Sequence, residues 1–403
     1  MKKFLLSLAV MTMGTTLLTG CLGDDSSDNT PTEYFLTKGV FIINNGSSYN
    51  SIDGSLTYID YATMTPSARQ NVYQMVNGKS LGGTPNDVLV YGQKVYIAGS
   101  DENTIFVLDA RNSKELKKVS TTDLLGEADG KNPRRLAAYN GKVYFTTYGT
   151  GNKGYVAAID TTKFDRNDPI TFDAKYQVGS YPEGLTFGID DKSTVTLYVA
   201  NSDWSMGNGS ISKIDITSGN VTNTEFEKVK NPQEIAVAGG ILYVLDYGHY
   251  DEAYNQTDAG VYMINKDNSV KLVVPNATGM AAAGYLIYTF NDPFGGTTGP
   301  SYSVYDIRYD SPAMPLNLSG DSDHSIVSPA AIAVDPVTGN VFIASRQKDP
   351  DTGYPAYAMP GFVNVYLGYG VNANPGQFVE SFQTGVEPHK IEFVHGTAKI
   401  QFQ

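Results

Sequence analysis

Five polar residues of the kind that hold ligands each follow a proline directly: Asn86, Arg134, Glu183, Gln233 and His389. The positions before them, with Thr278 and Pro329, are 46 to 59 residues apart. Gly279 and Ala330 complete the set. If one structural unit repeats at this spacing, the seven positions converge on a common axis. A mixed ring of amide, guanidinium, carboxylate and imidazole can hydrogen-bond a ligand seated there. It can equally hold ordered water, and the sequence leaves both readings open. Signals for metal or nucleophilic chemistry are weak. The four histidines, His249, His324, His389 and His395, form no HxH or HExxH pattern. His249 and His389 are expected near one channel mouth, from units that are not neighbours. The stretch Asp349-Pro-Asp351-Thr-Gly353 offers oxygen ligands without EF-hand spacing, so a turn is expected. No nucleophile elbow, P-loop or dinucleotide fingerprint is present.

A second set of candidates is aromatic. Tyr148, Trp204, Tyr250, Tyr254, Phe294 and Tyr357, with Arg346, lie in irregular polar segments at 148–154, 202–209, 247–259, 292–300 and 346–361. Tyr49, Met206, Tyr354 and Met359 occur in similar segments. Aromatics gathered on one face suit a large, partly apolar ligand or a partner protein. They can also fold back and cap the ends of strands. Trp204 is the only tryptophan and sits in Asn-Ser-Asp-Trp-Ser-Met-Gly-Asn-Gly-Ser, where ligand contact is the favoured reading.

The elements that must position these residues follow one template, clearest at 133–145, Pro-Arg-Arg-Leu-Ala-Ala-Tyr-Asn-Gly-Lys-Val-Tyr-Phe. Asn-Gly between two alternating apolar runs is a hairpin signal, because both residues tolerate positive φ. The template recurs from 85, 182, 232, 278, 329 and 388. Apolar alternation has period two, which excludes helical repeats, and four-stranded propeller blades fit the spacing. A third strand ends each unit in an apolar residue plus Asp or Asn, as at 104–109, 155–160 and 210–215. Outer strands are expected at 115–120, 175–178, 225–229, 270–274 and 378–383. The first unit lacks its opening strand, with 39–45 and 55–60 reading as strands two and three. Residues 388–394 supply the missing one. The expected fold is an all-β, seven-bladed propeller of four-stranded blades over 38–403, closed by the C-terminal strand. Leu136, Val143, Val156 and Ile159 should pack between blades.

Twenty-eight tyrosines, 17 phenylalanines and 41 glycines suit such a chain. A net charge of −13 excludes the basic stripe that nucleic acid needs and adhesion to anionic lipid. Lys2 and Lys3 before an apolar run at 4–18 read as a secretion signal over 1–20. Leu18-Thr19-Gly20-Cys21 resembles the bacterial lipobox, so Cys21 is the expected lipidation site. It is the only cysteine, which rules out intrachain disulfides. Residues 21–37 are expected to be an acidic tether, and Asp24-Asp25 resembles the export tag of surface lipoproteins of Bacteroidetes. The expected location is the outer face of the outer membrane, lipid-anchored and exposed at the cell surface.

The units VYGQKVYIAG, AYNGKVYFTT and AVAGGILYVLDYG, with VGSYPEGLTF and TGVEPHKIEF, resemble the YVTN-type, YncE-like seven-bladed propeller lipoproteins of Bacteroidetes, over residues 38–396. One branch of that group binds vitamin B12 at the surface and partners a TonB-dependent transporter. The resemblance implies a non-enzymatic capture protein, with a cobamide as transported ligand, no cofactor of its own, and a transporter as partner. It carries over no ligand contacts. Two alternatives stand beside it. One is a structural or adhesion propeller that binds protein or glycan. The other is a lactonase or lyase on the axis. Lactonase-type propellers use axial carboxylates and a metal, and here the ring offers Glu183, with Asp87 and Glu234 one step further along.

Overall fold

In the computed structural model, the described residues are 32–400 apart from 64, 151–152, 163–171, 190–193, 203–207, 295–298, 321–324 and 371–373. They form seven four-stranded antiparallel sheets arranged as a propeller. Blade 2 holds Pro85–Tyr91, Lys94–Gly99, Thr104–Asp109 and Glu115–Ser120 from the axis outward. The inner strands of blades 3 to 7 are Pro133–Tyr139, Pro182–Ile189, Pro232–Ala238, Gly279–Ala283 and Pro329–Val334. Blade 1 is composite: Pro388–Ile400 is its inner strand, followed by Thr32–Asn44, Ser55–Asp60 and Ser67–Arg69.

The closing pair runs further than expected. Thr32 pairs with Ile400 and Asn44 with Pro388, with register shifts at Thr37/Gly39 and Ile43/Asn44. The propeller therefore starts at Thr32, and residues 32–37, expected in the tether, belong to a strand. Extended chain on one side satisfies the amides of the other, so the ladder continues past the blade's edge.

Each blade hides its two apolar faces against its neighbours. Seven separate buried clusters occupy the seven blade boundaries, the last joining blade 7 to blade 1 through Phe342, Val363 and Phe382 against Val40, Ile42 and Ile391. At about 25 cal/mol per Å² of apolar area removed from water, this stacking is the main favourable term. The alternation works as the sequence implies. Leu136, Val143 and Ile159 face blade 2, while Val156 faces blade 4.

Asn140 and Gly141 have φ of 47° and 78°, the positive pair that a two-residue hairpin turn requires. The recurrent Asp after strand three also has a physical role. Asp109 Oδ1 accepts from Arg111 N at 2.9 Å, Asp160 Oδ1 from Thr162 N at 2.8 Å, and Asp215 Oδ1 from Thr217 N at 2.8 Å, which closes the turn to the outer strand.

Three outer strands differ from expectation, the first being Ser67–Arg69 of blade 1, where none was expected. In blade 4 the strand is Val221–Glu225, not 225–229. Phe226 and Val229 are buried from a turn, with Val229 N donating to Phe226 O at 3.0 Å. Their apolar character plugs the core without belonging to a ladder. In blade 6 only Met314–Pro315 pairs as an outer strand, where none was expected.

Candidate axial site and loop face

Inner strands start on one face of the ring, and the connections between second and third strands return to it. Tyr148, at the start of one such connection, therefore meets Glu183, the second residue of the next inner strand. Its hydroxyl donates to Glu183 Oε1. Arg134 donates to the same oxygen from Nε at 3.1 Å and Nη2 at 2.9 Å, and from Nη1 to Asn86 Oδ1 at 2.7 Å. The guanidinium lies over the Tyr148 ring at 4.8 Å. Three of the expected axial residues, Asn86, Arg134 and Glu183, thus form one network with Tyr148. Glu183 and Asn86 are each only 2% exposed.

Beneath it, Arg135 donates to Asn86 O at 2.9 Å and stands 3.6 Å from Glu183 Oε2, too far for a hydrogen bond. Asp87 accepts from Val88 N at 2.9 Å and Leu136 N at 2.8 Å. Burial pushes its carboxyl above the usual range, against the pull of Lys390 and Arg135. Burial also opposes the Arg134 charge, but Glu183 outweighs it and the guanidinium is held more firmly protonated.

His389 enters the axis from the closing strand. Burial, then the cationic Arg135, Arg134, Lys390 and Arg346, hold its imidazole well below the ordinary value, so it is neutral at pH 7. Its Nε2 is buried and has no hydrogen-bond partner among the described residues. It does not meet His249, whose Nδ1 is 3.5 Å from Asp258 on its own exposed hairpin. That connection folds locally, pairing His249–Tyr250 with Gln256–Thr257, which holds the imidazole over its own blade. Gln233 bonds Asn231 Oδ1 at 2.5 Å and joins neither cluster.

A second cluster of the same chemistry was not evident in the sequence. Arg346 Nε lies 2.7 and 2.8 Å from the two carboxylate oxygens of Glu387, and Nη1 donates to Ser328 Oγ at 2.9 Å. The guanidinium lies over the Tyr357 ring at 5.1 Å. Arg–Glu–Tyr clusters therefore stand at the 3/4 and 7/1 blade boundaries. Both rest on unusual backbone. Tyr181 and Glu387 directly precede the opening prolines and have φ of 50° and 57°. Non-glycine residues in that region cost of order 1–3 kcal/mol each and concentrate at functional sites. Tyr181 packs edge-on to Tyr148 at 5.2 Å. Sequence reading passed over it because it looked like a lead-in to the template.

The remaining aromatics face solvent. Tyr250 and Phe294, 49% and 64% exposed, form an edge-to-face pair at 6.3 Å from adjacent blades. Gln256 ties the two connections together, donating its N–H to Phe294 O at 2.9 Å and accepting from Phe294 N at 3.0 Å. Tyr254, Tyr354, Tyr357 and Tyr49 are exposed too, so none of these caps a blade. Trp204 lies outside the described residues, as do Met206, Cys21 and His324. Among the described residues no three His, Cys, Asp or Glu side chains gather closely enough to hold a metal ion. None of their helices is long and apolar enough to cross a membrane.

Residues 38–165 match a family described as a domain of unknown function, DUF5074. No curated protein matches the chain. Among solved structures, the chain is similar to two proteins provisionally assigned as 6-phosphogluconolactonases. The one from Bacteroides uniformis has 12% identity and a TM-score of 0.54, over 89% of this chain and all of that one. The one from Bacteroides fragilis has 11% identity and a TM-score of 0.53, over 92% of this chain and all of that one. The hydrazine synthase of Kuenenia stuttgartiensis matches at 15% identity and a TM-score of 0.50, over 86% of this chain and 99% of that one. At such identities the likeness is one of fold.

Proposed function

We propose that this chain is a capture protein that binds a large, flat, polar-edged ligand on its loop face, with a cobamide as the first candidate. In this reading it is anchored through a lipidated Cys21 at the outer surface of the outer membrane, and it hands its ligand to a TonB-dependent transporter. One observation carries the binding part. Two guanidinium groups, each backed by a tyrosine ring and clamped by a glutamate, stand beside the axis on the face that carries the exposed Tyr250–Phe294 pair. A guanidinium stacked on one side by a tyrosine ring can take a planar ligand on the other. Exposed aromatics that the core does not need mark a surface built for contact. The B12-capture resemblance supplies the choice of cobamide.

Titrating the purified chain with cyanocobalamin tests this. Micromolar or tighter binding at one site per chain, with quenching of the single tryptophan, is expected. Absence of both heat and quenching at micromolar ligand removes cobamides.

A second reading, a propeller hydrolase, draws on the provisional names of the Bacteroides structures and on the neutral, unpartnered His389 imidazole. Hydrolysis of 6-phosphogluconolactone faster than in buffer, lost in His389→Gln, would favour it over capture.

A further inference from the structure

A groove formed by described residues lies away from the axis. It measures about 400 Å³, on the loop face at the boundary of blades 7 and 1, within the range of small-molecule sites. We propose that this groove binds a neutral polyhydroxylated ligand, a mono- or disaccharide unit, independently of the axial site.

The argument rests on the chemistry of the walls. Ser51, Asp53, Asn71, Gln74 and Gln383 supply hydroxyl, carboxamide and carboxylate groups. Among the described residues no Lys, Arg or His lines the groove, so an anion finds no counter-charge in these walls and meets Asp53 instead. A cation meets only one carboxylate, and that carboxylate already accepts a hydrogen bond from Ser80 Oγ. An apolar ligand would strip water from the amides without replacing their hydrogen bonds, at roughly 1–3 kcal/mol for each group. A neutral ligand with many hydroxyls meets none of these costs, because each hydroxyl both donates and accepts and matches a carboxamide in either orientation.

The walls are also prepared. Gln70 is locked on both sides: its Oε1 accepts from Thr57 Oγ1 at 2.8 Å and its amide donates to Gln383 O. That bond crosses the blade boundary and fixes the groove's width. The Gln74 and Gln383 carboxamides remain available to a ligand. Gly54 and Gly385 bring backbone to the wall without a side chain. Tyr49, 96% exposed, stands on the turn that leads into Ser51, where its ring can cover the apolar face of a sugar.

Titration calorimetry of the full chain with maltose, cellobiose and N,N′-diacetylchitobiose tests the assignment. At least one probe should bind with a dissociation constant below about 10 mM. Combining Gln74→Ala with Gln383→Ala should weaken that binding at least ~tenfold, about 1.4 kcal/mol, with the thermal midpoint and any cyanocobalamin affinity unchanged. Glucuronate should bind at least ~tenfold more weakly than glucose, and Asp53→Asn should erase the difference. Failure of all three probes, or binding that the double variant leaves intact, overturns the proposal. The axial reading survives either result, since its probe is different.

Discussion

Pro182 lies against Gly154 so closely that a β-carbon on the glycine would stand 2.3 Å from Pro182 Cδ. The same contact recurs between Gly54 and Pro85 at 2.2 Å, Gly209 and Pro232 at 2.3 Å, and Gly361 and Pro388 at 2.8 Å. In each case the glycine lies at the start of the third strand of one blade, from one residue before it to its second residue, and the proline opens the inner strand of the next. The template proline thus sets the spacing between blades on the face where the candidate sites lie. Gly154→Ala should cost about 1–3 kcal/mol, as overpacking does, while Gly299→Ala, with open space around it, should be neutral. Urea midpoints of the two variants check this.

Glu183 compensates two arginines at once, the half-buried Arg134 and the buried Arg135. Glu183→Ala should destabilise by about 3–5 kcal/mol, because it removes the carboxylate that holds Arg134 and leaves Arg135 with only Asp87 and Glu234 as counter-charges. Glu387→Ala should cost less, since Arg346 is more exposed than Arg135, with side chains 23% and 10% exposed. Denaturant unfolding of both variants gives the comparison. Equal losses would mean that the first cluster is not the tighter one.

Burial, reinforced by nearby Asp87, raises the Glu392 carboxyl to about 7, although Val90 N donates to it at 3.0 Å. The unfolded chain releases this proton near the ordinary carboxylate value, the folded chain only near 7. Between those values the folded state binds more protons, so this group lowers stability as pH rises. Glu392→Gln should keep the bond from Val90, flatten that part of the pH profile and raise stability at pH 8. A variant whose slope between pH 4.5 and 7 matches the parent would contradict the assignment.

Removing residues 388–403 takes the inner strand from blade 1 and uncovers Val40, Ile42 and Phe342 at the last boundary. The truncated chain should lose its cooperative melt and associate through the newly open edge of Thr32–Asn44. Light scattering and calorimetry would show both effects.

Tyr250→Ala with Phe294→Ala should leave the melting temperature within about a degree or two, since both rings are exposed. Each ring that anchors a ligand should cost at least about 2 kcal/mol of binding. Unchanged cyanocobalamin affinity would remove this pair from the binding surface.

Much of the architecture was legible because propeller contacts repeat locally. Strands 85–91, 94–99, 104–109 and 115–120 of blade 2 stand where period-two alternation and turn residues put them. The closing strand was legible as a unit with no partner. The misreading at 225–229 arose because apolar residues in a buried turn mimic a strand. Asn86, Arg134 and Glu183 could be placed on one axis from their position after a proline. Their pairing could not be read, because it depends on how far each side chain reaches across a blade boundary. Arg346 and Glu387 are 41 residues apart, and only ring closure brings them together.

The closing strands also fix which way the molecule looks. Pro388 sits on the loop face, and its strand runs antiparallel to the first one until Ile400 meets Thr32. Thr32 therefore emerges on the opposite side of the ring. An anchor of the kind proposed above would join the ring from the side opposite Tyr250, Phe294 and both arginine clusters.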